Sequence, residues 1–292
     1  MRDYNKSMQF KIRHDMFYRY SAPVFLEPLV IRLQPRSDCH QKLHDYHLHV
    51  MPTPTVRTDA IDVDGNSTSV VWFNGRHREM TITVSSTVET QVVNSVDFCM
   101  TDDGLALMPV SYCQPLAKSL WAYTDSSAVD STVRDFAGVV AERVGYRTLP
   151  FLSELSSEIH RGFKWSFREK GDPYPSAVTL AMRQGACRDF TVLFLDFCRV
   201  MGLAARFVSG YLPGQNDTHT RNLHAWAEVY LPGGGWRGFD PTHGGVVDAH
   251  HVALAAAAHP QLGAPTFGTF LGDNVESTFN FELSIETLDG YA

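Results

Sequence analysis

No stretch of about 18 consecutive apolar residues occurs in the 292-residue chain, so no segment reads as a membrane-spanning helix. The longest apolar run, Val252 to Ala258, is short and rich in alanine. The opening residues, Met1 to His14, carry charges but no apolar centre, so they are not expected to act as a signal peptide. No block of like charge occurs either. The net charge of -7 comes without a clustered basic face, which excludes a nucleic-acid footprint. Cysteine is scarce. The five (Cys39, Cys99, Cys113, Cys187, Cys198) are odd in number and lack paired CxxC spacing, so zinc-ribbon and disulfide-scaffold readings are weak and a reduced cytoplasmic protein is expected. His44, His47 and His49 alternate along a strand with no Cys or carboxylate cluster beside them. No metal and no cofactor are therefore expected. There is no internal repeat and no low-complexity linker.

What is present is an ordinary globular composition, 44% hydrophobic and 20% charged, able to bury a core without metal or disulfide staples. The first part reads as β. Phe17–Tyr20, Leu29–Leu33, His47–Val50, Val70–Phe73 and Met80–Val84 are short strand-like runs, and Asp64-Gly65-Asn66 is a hairpin turn between two of them. A small antiparallel β domain over residues 8–90 follows. The middle turns helical. Ser131–Val144 carries apolar residues near a 3.6 period, with Gly145 as a C-cap, and Leu152–Ile159 and Ser176–Met182 are shorter helices. Residues 187–201 are apolar almost all round, as in a helix buried on most sides, and Gly202 ends it. Strands return at 204–212, 223–231, 236–240 and 279–285. The division expected is a β domain over 8–90, a helical connection over 91–150 and a core over 151–292 that ends in strands.

Three residues draw attention together. Cys187 follows Gln184-Gly185-Ala186 and opens the buried helix. A thiol there lies at the positive end of the helix dipole, and with a nearby imidazole it supplies thiolate at neutral pH. The small residues before it let a carbonyl approach the backbone N–H groups. His224 lies on an alternating strand and Asp240 ends the next one, with Pro232-Gly-Gly-Gly235 turning between them. A three-residue loop pairs Leu231 with Gly235, sets Asp240 opposite Trp226 and makes it the diagonal neighbour of His224 on one face. A four-residue loop puts Asp240 on the wrong face unless a bulge corrects it. Cys, His and Asp in this order form a thiol, its base and the carboxylate that orients the base. Cys198, inside the same helix on an apolar face, reads as structural.

Gly185-Ala-Cys-Arg-Asp-Phe190, Gly202-Leu-Ala-Ala-Arg-Phe-Val-Ser-Gly-Tyr-Leu212, His224-Ala-Trp-Ala-Glu-Val-Tyr230 and Gly235-Trp-Arg-Gly-Phe-Asp-Pro-Thr242 resemble the bacterial transglutaminase-like, cysteine-protease family. Tyr18-Arg-Tyr20, Ile31-Arg-Leu-Gln-Pro-Arg36 and Asp64-Gly-Asn66 resemble its N-terminal region. The resemblance implies an α+β fold, an N-terminal antiparallel β domain followed by a papain-like core, with Cys187 as nucleophile, His224 as base and Asp240 as orienter. Trp165 and Gln184 are candidate oxyanion donors, the alternative for Trp165 being core packing. Asp189 and Trp226 are cleft candidates, and the alternative for Asp189 is an acid steadying the first helical turn. His250-His251 matches the family's tail without a nameable partner. One departure stands out. The family's Gly-Arg-Asp-Tyr-x-Asp stretch is replaced by Ala257-Ala-His-Pro-Gln-Leu262. A more open, less charged cleft is expected, unless Ala253–Ala258 packs over it.

The expected function is attack on an amide of a peptide or protein through a thioester, with hydrolysis favoured over amine transfer. The rival from another class is a catalytically silent protein-binding module on the same fold. No nucleic-acid or membrane partner is expected, and the oligomeric state is left open.

Overall fold

The structure, a computed structural model, describes residues 7–91, 98–99, 106–168, 171–213 and 223–288. The N-terminal strands are β1 (Met8–Leu26), β2 (Leu29–Ile31), β3 (Gln41–Met51), β4 (Val56–Ile61), β5 (Ser67–Trp72) and β6 (His77–Thr90). Helices follow: α1 (Gln114–Ser119), α2 (Trp121–Thr124), α3 (Ser131–Arg143) and α4 (Thr148–Gly162). Short β7 (Lys164–Trp165) and β8 (Gln184–Gly185) flank α5 (Ser176–Met182) and lead into α6 (Cys187–Val200). The rest is β: β9 (Ala205–Tyr211), β10 (Leu223–Leu231), β11 (Gly235–Asp240), β12 (Gly245–Val246), β13 (Val252–Ala257), β14 (Thr266–Phe267), β15 (Phe270–Leu271) and β16 (Ser277–Leu288).

Strand β6 shows why the first part is a sheet. Met80, Ile82, Val84 and Val88 are buried and alternate with partly exposed neighbours, the period-2 signature of a half-buried strand. It lies between β1 and β3, antiparallel to both. Strand β1 is far longer than its apolar fragments indicate, because Arg13 and Asp15 sit within it as an ion pair at 2.7 Å. Its other side is taken by β16, paired from Gln9↔Leu288 to Tyr20↔Ser277, so the last strand closes the first sheet. A second N-terminal sheet runs β14-β2-β5-β4.

The core sheet runs β12-β11-β10-β9-β13. On its helical side Phe190, Leu193, Phe194 and Phe197 of α6 pack with Ala225, Ala227, Val229 and Leu231 of β10 and with α3 and α4. The helix stops at Gly202, whose φ of +76° suits glycine and where a Cβ would stand 2.2 Å from the Val110 carbonyl oxygen. The Ala-rich run is strand β13, paired with β9 at the sheet edge and buried there. Small side chains suit it, since Ala255, Ala256 and Ala257 are fully covered. Tyr211, Val252 and Leu254 share a second core with the β1–β6 sheet, joining the two halves of the molecule. No helix among the described residues is long and apolar enough to cross a membrane.

Candidate active site

The β10–β11 hairpin pairs Leu231 with Gly235 and Ala227 with Phe239, the register of a three-residue loop. Asp240 and His224 therefore share a face, and His224 Nε2 donates to Asp240 Oδ2 at 2.7 Å. The other ring nitrogen is left for the thiol. His224 hydrogen-bonds the Cys187 sulfur, and the Ala225 backbone N–H donates to it as well. Cys187 begins α6 and is partly buried. Helix and hairpin meet at one corner of the core and bring the three groups into line.

Electrostatics follow from that line. Burial alone would push the Cys187 thiol up, but the His224 hydrogen bond and charge, with the Ala225 N–H, hold it below its ordinary value. Burial opposes charge on His224 too, yet Asp240 and the Cys187 sulfur raise the imidazole to about 10. Asp240 is nearly inaccessible and would be driven up by burial; the His224 charge and its hydrogen bonds hold it well below the usual carboxylate range. The arrangement favours a thiolate–imidazolium pair on a carboxylate anchor.

The carboxylate is more heavily bonded than the sequence indicates. Its Oδ2 also accepts from His243 Nδ1 at 2.7 Å and from His251 Nε2 at 3.2 Å, and Oδ1 accepts the backbone N–H groups of Thr242 and His243. His251 is wedged between two carboxylates, its Nδ1 lying 3.0 Å from Asp248 Oδ1. Burial disfavours its charge, but hydrogen bonds to Asp240 and Asp248 raise its pKa. The signal for His243 was available: an Asp three residues before a His in a turn reaches its own backbone N–H groups and that ring. The His251 contact spans a turn and a change of strand, beyond any local pattern.

Asp240, His224 and His243 form a cluster whose donor atoms lie within 4.8 Å of one another. Two ligands of one zinc ion, each about 2.1 Å from it in a tetrahedral array, stand roughly 3.4 Å apart. Here each nitrogen is 2.7 Å from the shared oxygen, so as arranged the group is a hydrogen-bonded network rather than an ion cage.

The remaining candidates separate. Trp165, 47% exposed, lines the same cavity as Cys187, whereas Gln184 pairs with Lys164 in the β7–β8 ladder and is not part of the cavity wall. Asp189 is fully buried. Its Oδ2 accepts the Ala186 N–H at 2.8 Å and its Oδ1 accepts Arg168 and the Tyr174 N–H, which holds the helix entry in place. Trp226 is also buried, edge-on to His251 with ring centres 5.2 Å apart, and forms a floor beneath the imidazoles. Gly210, paired with His224, makes room for it, since a Cβ there would stand 2.4 Å from the indole. Cys187 opens onto a cavity of about 630 Å³ lined by Trp165, Arg188 and the histidines at 224, 243, 250 and 251.

Comparison with known proteins agrees with this architecture. Residues 10–89 match the bacterial transglutaminase-like N-terminal region, and residues 135–241 match the transglutaminase-like superfamily core. An uncharacterized protein of Mycobacterium bovis is 27% identical over 97% of this chain and 94% of its own. One of Mycobacterium leprae is 26% identical over 90% and 94%. The crystal structure of "a Putative Cysteine Protease from Cytophaga hutchinsonii" superposes over 98% of this chain and 93% of that one, with a TM-score of 0.72 at 21% identity, and shows the shared fold. Along one sequence the chain thus carries, in order, a bacterial transglutaminase-like N-terminal region and a transglutaminase-like core.

Proposed function

We propose that the chain is a cysteine-dependent hydrolase or acyltransferase acting on an amide of a peptide or protein. The observation that carries this is the continuous line Cys187–His224–Asp240, with the thiol lowered and the imidazole raised. The Cys187 thiolate attacks the carbonyl carbon and forms the C–S bond. The oxyanion is held by the Cys187 N–H at the start of α6 and by the dipole behind it. The His224 imidazolium then gives its proton to the amine as the C–N bond breaks, leaving a thioester. Water attacks next and its proton returns to His224. Collapse of that intermediate releases the acid and restores the thiolate. Trp165 is the candidate second oxyanion donor, supported by its place in the wall beside Cys187.

Hydrolysis is favoured over amine transfer. A roomy cavity beside the sulfur supports it, since transfer needs an acceptor bound in place and water excluded. The Ala-rich run is engaged as edge strand β13 and packs into the sheet. The five free thiols fit a reducing, cytoplasmic setting. The test is product partition. The protein is incubated with a glutamine-containing peptide pool and a labelled primary amine, and free acid is weighed against adduct by mass spectrometry. Acid should dominate; dominant adduct at millimolar amine would make the protein a transferase.

A further inference from the structure

Cys187 borders a second cavity as well, about 330 Å³ in volume and mostly apolar, whose lining does not include Asp240. One wall belongs to the core: Phe207, Ala264 and Pro265. The opposite wall comes from the other half of the molecule, Phe279 and Phe281 of β16, whose rings stack with centres 6.1 Å apart. These two are partly exposed, presenting aromatic surface to the space between the halves. His14 of β1 adjoins them, and burial pushes its pKa down to about 4, so that part of the wall is uncharged at neutral pH. The two cavities share Phe167, Arg168, Cys187, Arg188, Leu223 and His224 but differ in the rest of their lining. The first adds Asp240 and three further imidazoles; beyond the shared residues, the second adds mainly the rings of Phe207, Phe279 and Phe281 and three prolines.

We infer that the second cavity is the specificity subsite of the enzyme, and that it takes a bulky aromatic side chain of the substrate's acyl portion, within two residues of the bond attacked. This rests on the cysteine-enzyme reading above and deepens it. The leaving amine is polar and takes its proton from His224, which borders both cavities, so the first, with Asp240 and three further imidazoles, suits the departing group better. The acyl portion, which stays on the sulfur, then lies toward the second. A cavity of this volume accommodates a phenylalanine-sized side chain, and aromatic walls favour an aromatic guest in offset or edge-on contact. The strands of the N-terminal half thereby acquire a task, since β16 supplies one side of the subsite.

The experiment uses acyl-dipeptidyl electrophiles with Phe, Leu, Ala or Gly at each of the two positions nearest the reactive carbon. Labelling of Cys187 is followed by mass spectrometry, with iodoacetamide as a reagent too small to need the subsite. At one position the Phe reagent should label at least about tenfold faster than the Gly reagent, the scale of discrimination an apolar pocket reaches. Ala264→Phe, which fills the cavity, should bring that ratio close to one, and Phe281→Ala should lower it several-fold. Each variant is first checked by iodoacetamide labelling of Cys187, which requires only the folded site. A reactive Cys187 with no Phe preference at either position, or a preference that both variants leave untouched, would overturn the subsite. Failure of every reagent, iodoacetamide included, to single out Cys187 would instead overturn the cysteine-enzyme reading, and the subsite with it.

Discussion

Cys187 and Cys198 stand toward the two ends of one helix, and their surroundings set them apart. Cys198 is fully buried among apolar residues, and burial pushes its thiol well above the ordinary value. Cys187 is desolvated as well, yet its thiol is lowered, because an imidazole and a backbone N–H reach the sulfur. Desolvation is thus common to both; what differs is whether a donor faces the sulfur. The helix N-terminus adds a favourable field only at the Cys187 end.

The largest expected effect breaks the comparison outright. Cys187→Ala should reduce turnover to background, whereas Cys198→Ala should keep the rate within about twofold and cost about 1 kcal/mol of stability, the scale of a small core deletion. Steady-state rates and urea melts of both variants decide it, and comparable loss of rate in Cys198→Ala would erase the distinction. Next in size is the anchor. Asp240→Asn keeps the shape but offers His224 the wrong partner, so the rate should fall by about a hundred- to ten-thousand-fold. A fall of less than about tenfold would remove Asp240 from the account. Smaller again is His251→Gln. It loosens the carboxylate without touching the thiol, and the rate should fall about tenfold through misplacement of His224. An unchanged rate would mean that His224 and the turn after Asp240 suffice to hold the carboxylate.

The Cys187 end was legible because its signals are local. Small residues precede the thiol, a glycine-rich turn sets the hairpin register, and alternation puts His224 and Asp240 on one face. The expected three-residue loop is the one observed, with Leu231 opposite Gly235. The limits were equally physical. Of strand β1 only Phe17–Tyr20 stands out in the sequence, because the Arg13–Asp15 pair interrupts its apolar pattern. Strand β13 looked like an unpatterned alanine run because it is covered on both faces, which removes alternation. His251 escaped because its contact with Asp240 depends on where β13 joins β9. The second cavity was invisible for a similar reason: its walls come from strands more than two hundred residues apart in sequence, β1 and β16.

The most direct test of the account is iodoacetamide alkylation of Cys187 followed by peptide mass spectrometry between about pH 5 and pH 10, in the wild type and in His224→Gln. With the imidazole present, the Cys187 thiol lies below its ordinary value, so it should already label at about pH 6, where an unperturbed thiol of pKa about 8.5 is almost wholly protonated. Removing the imidazole leaves burial as the dominant influence. Burial raises a thiol pKa, so the His224→Gln profile should move to higher pH while Cys198 stays unlabelled in the folded protein. Labelling of wild-type Cys187 that begins only above about pH 8, or the same profile in both proteins, would contradict the claim that His224 activates it.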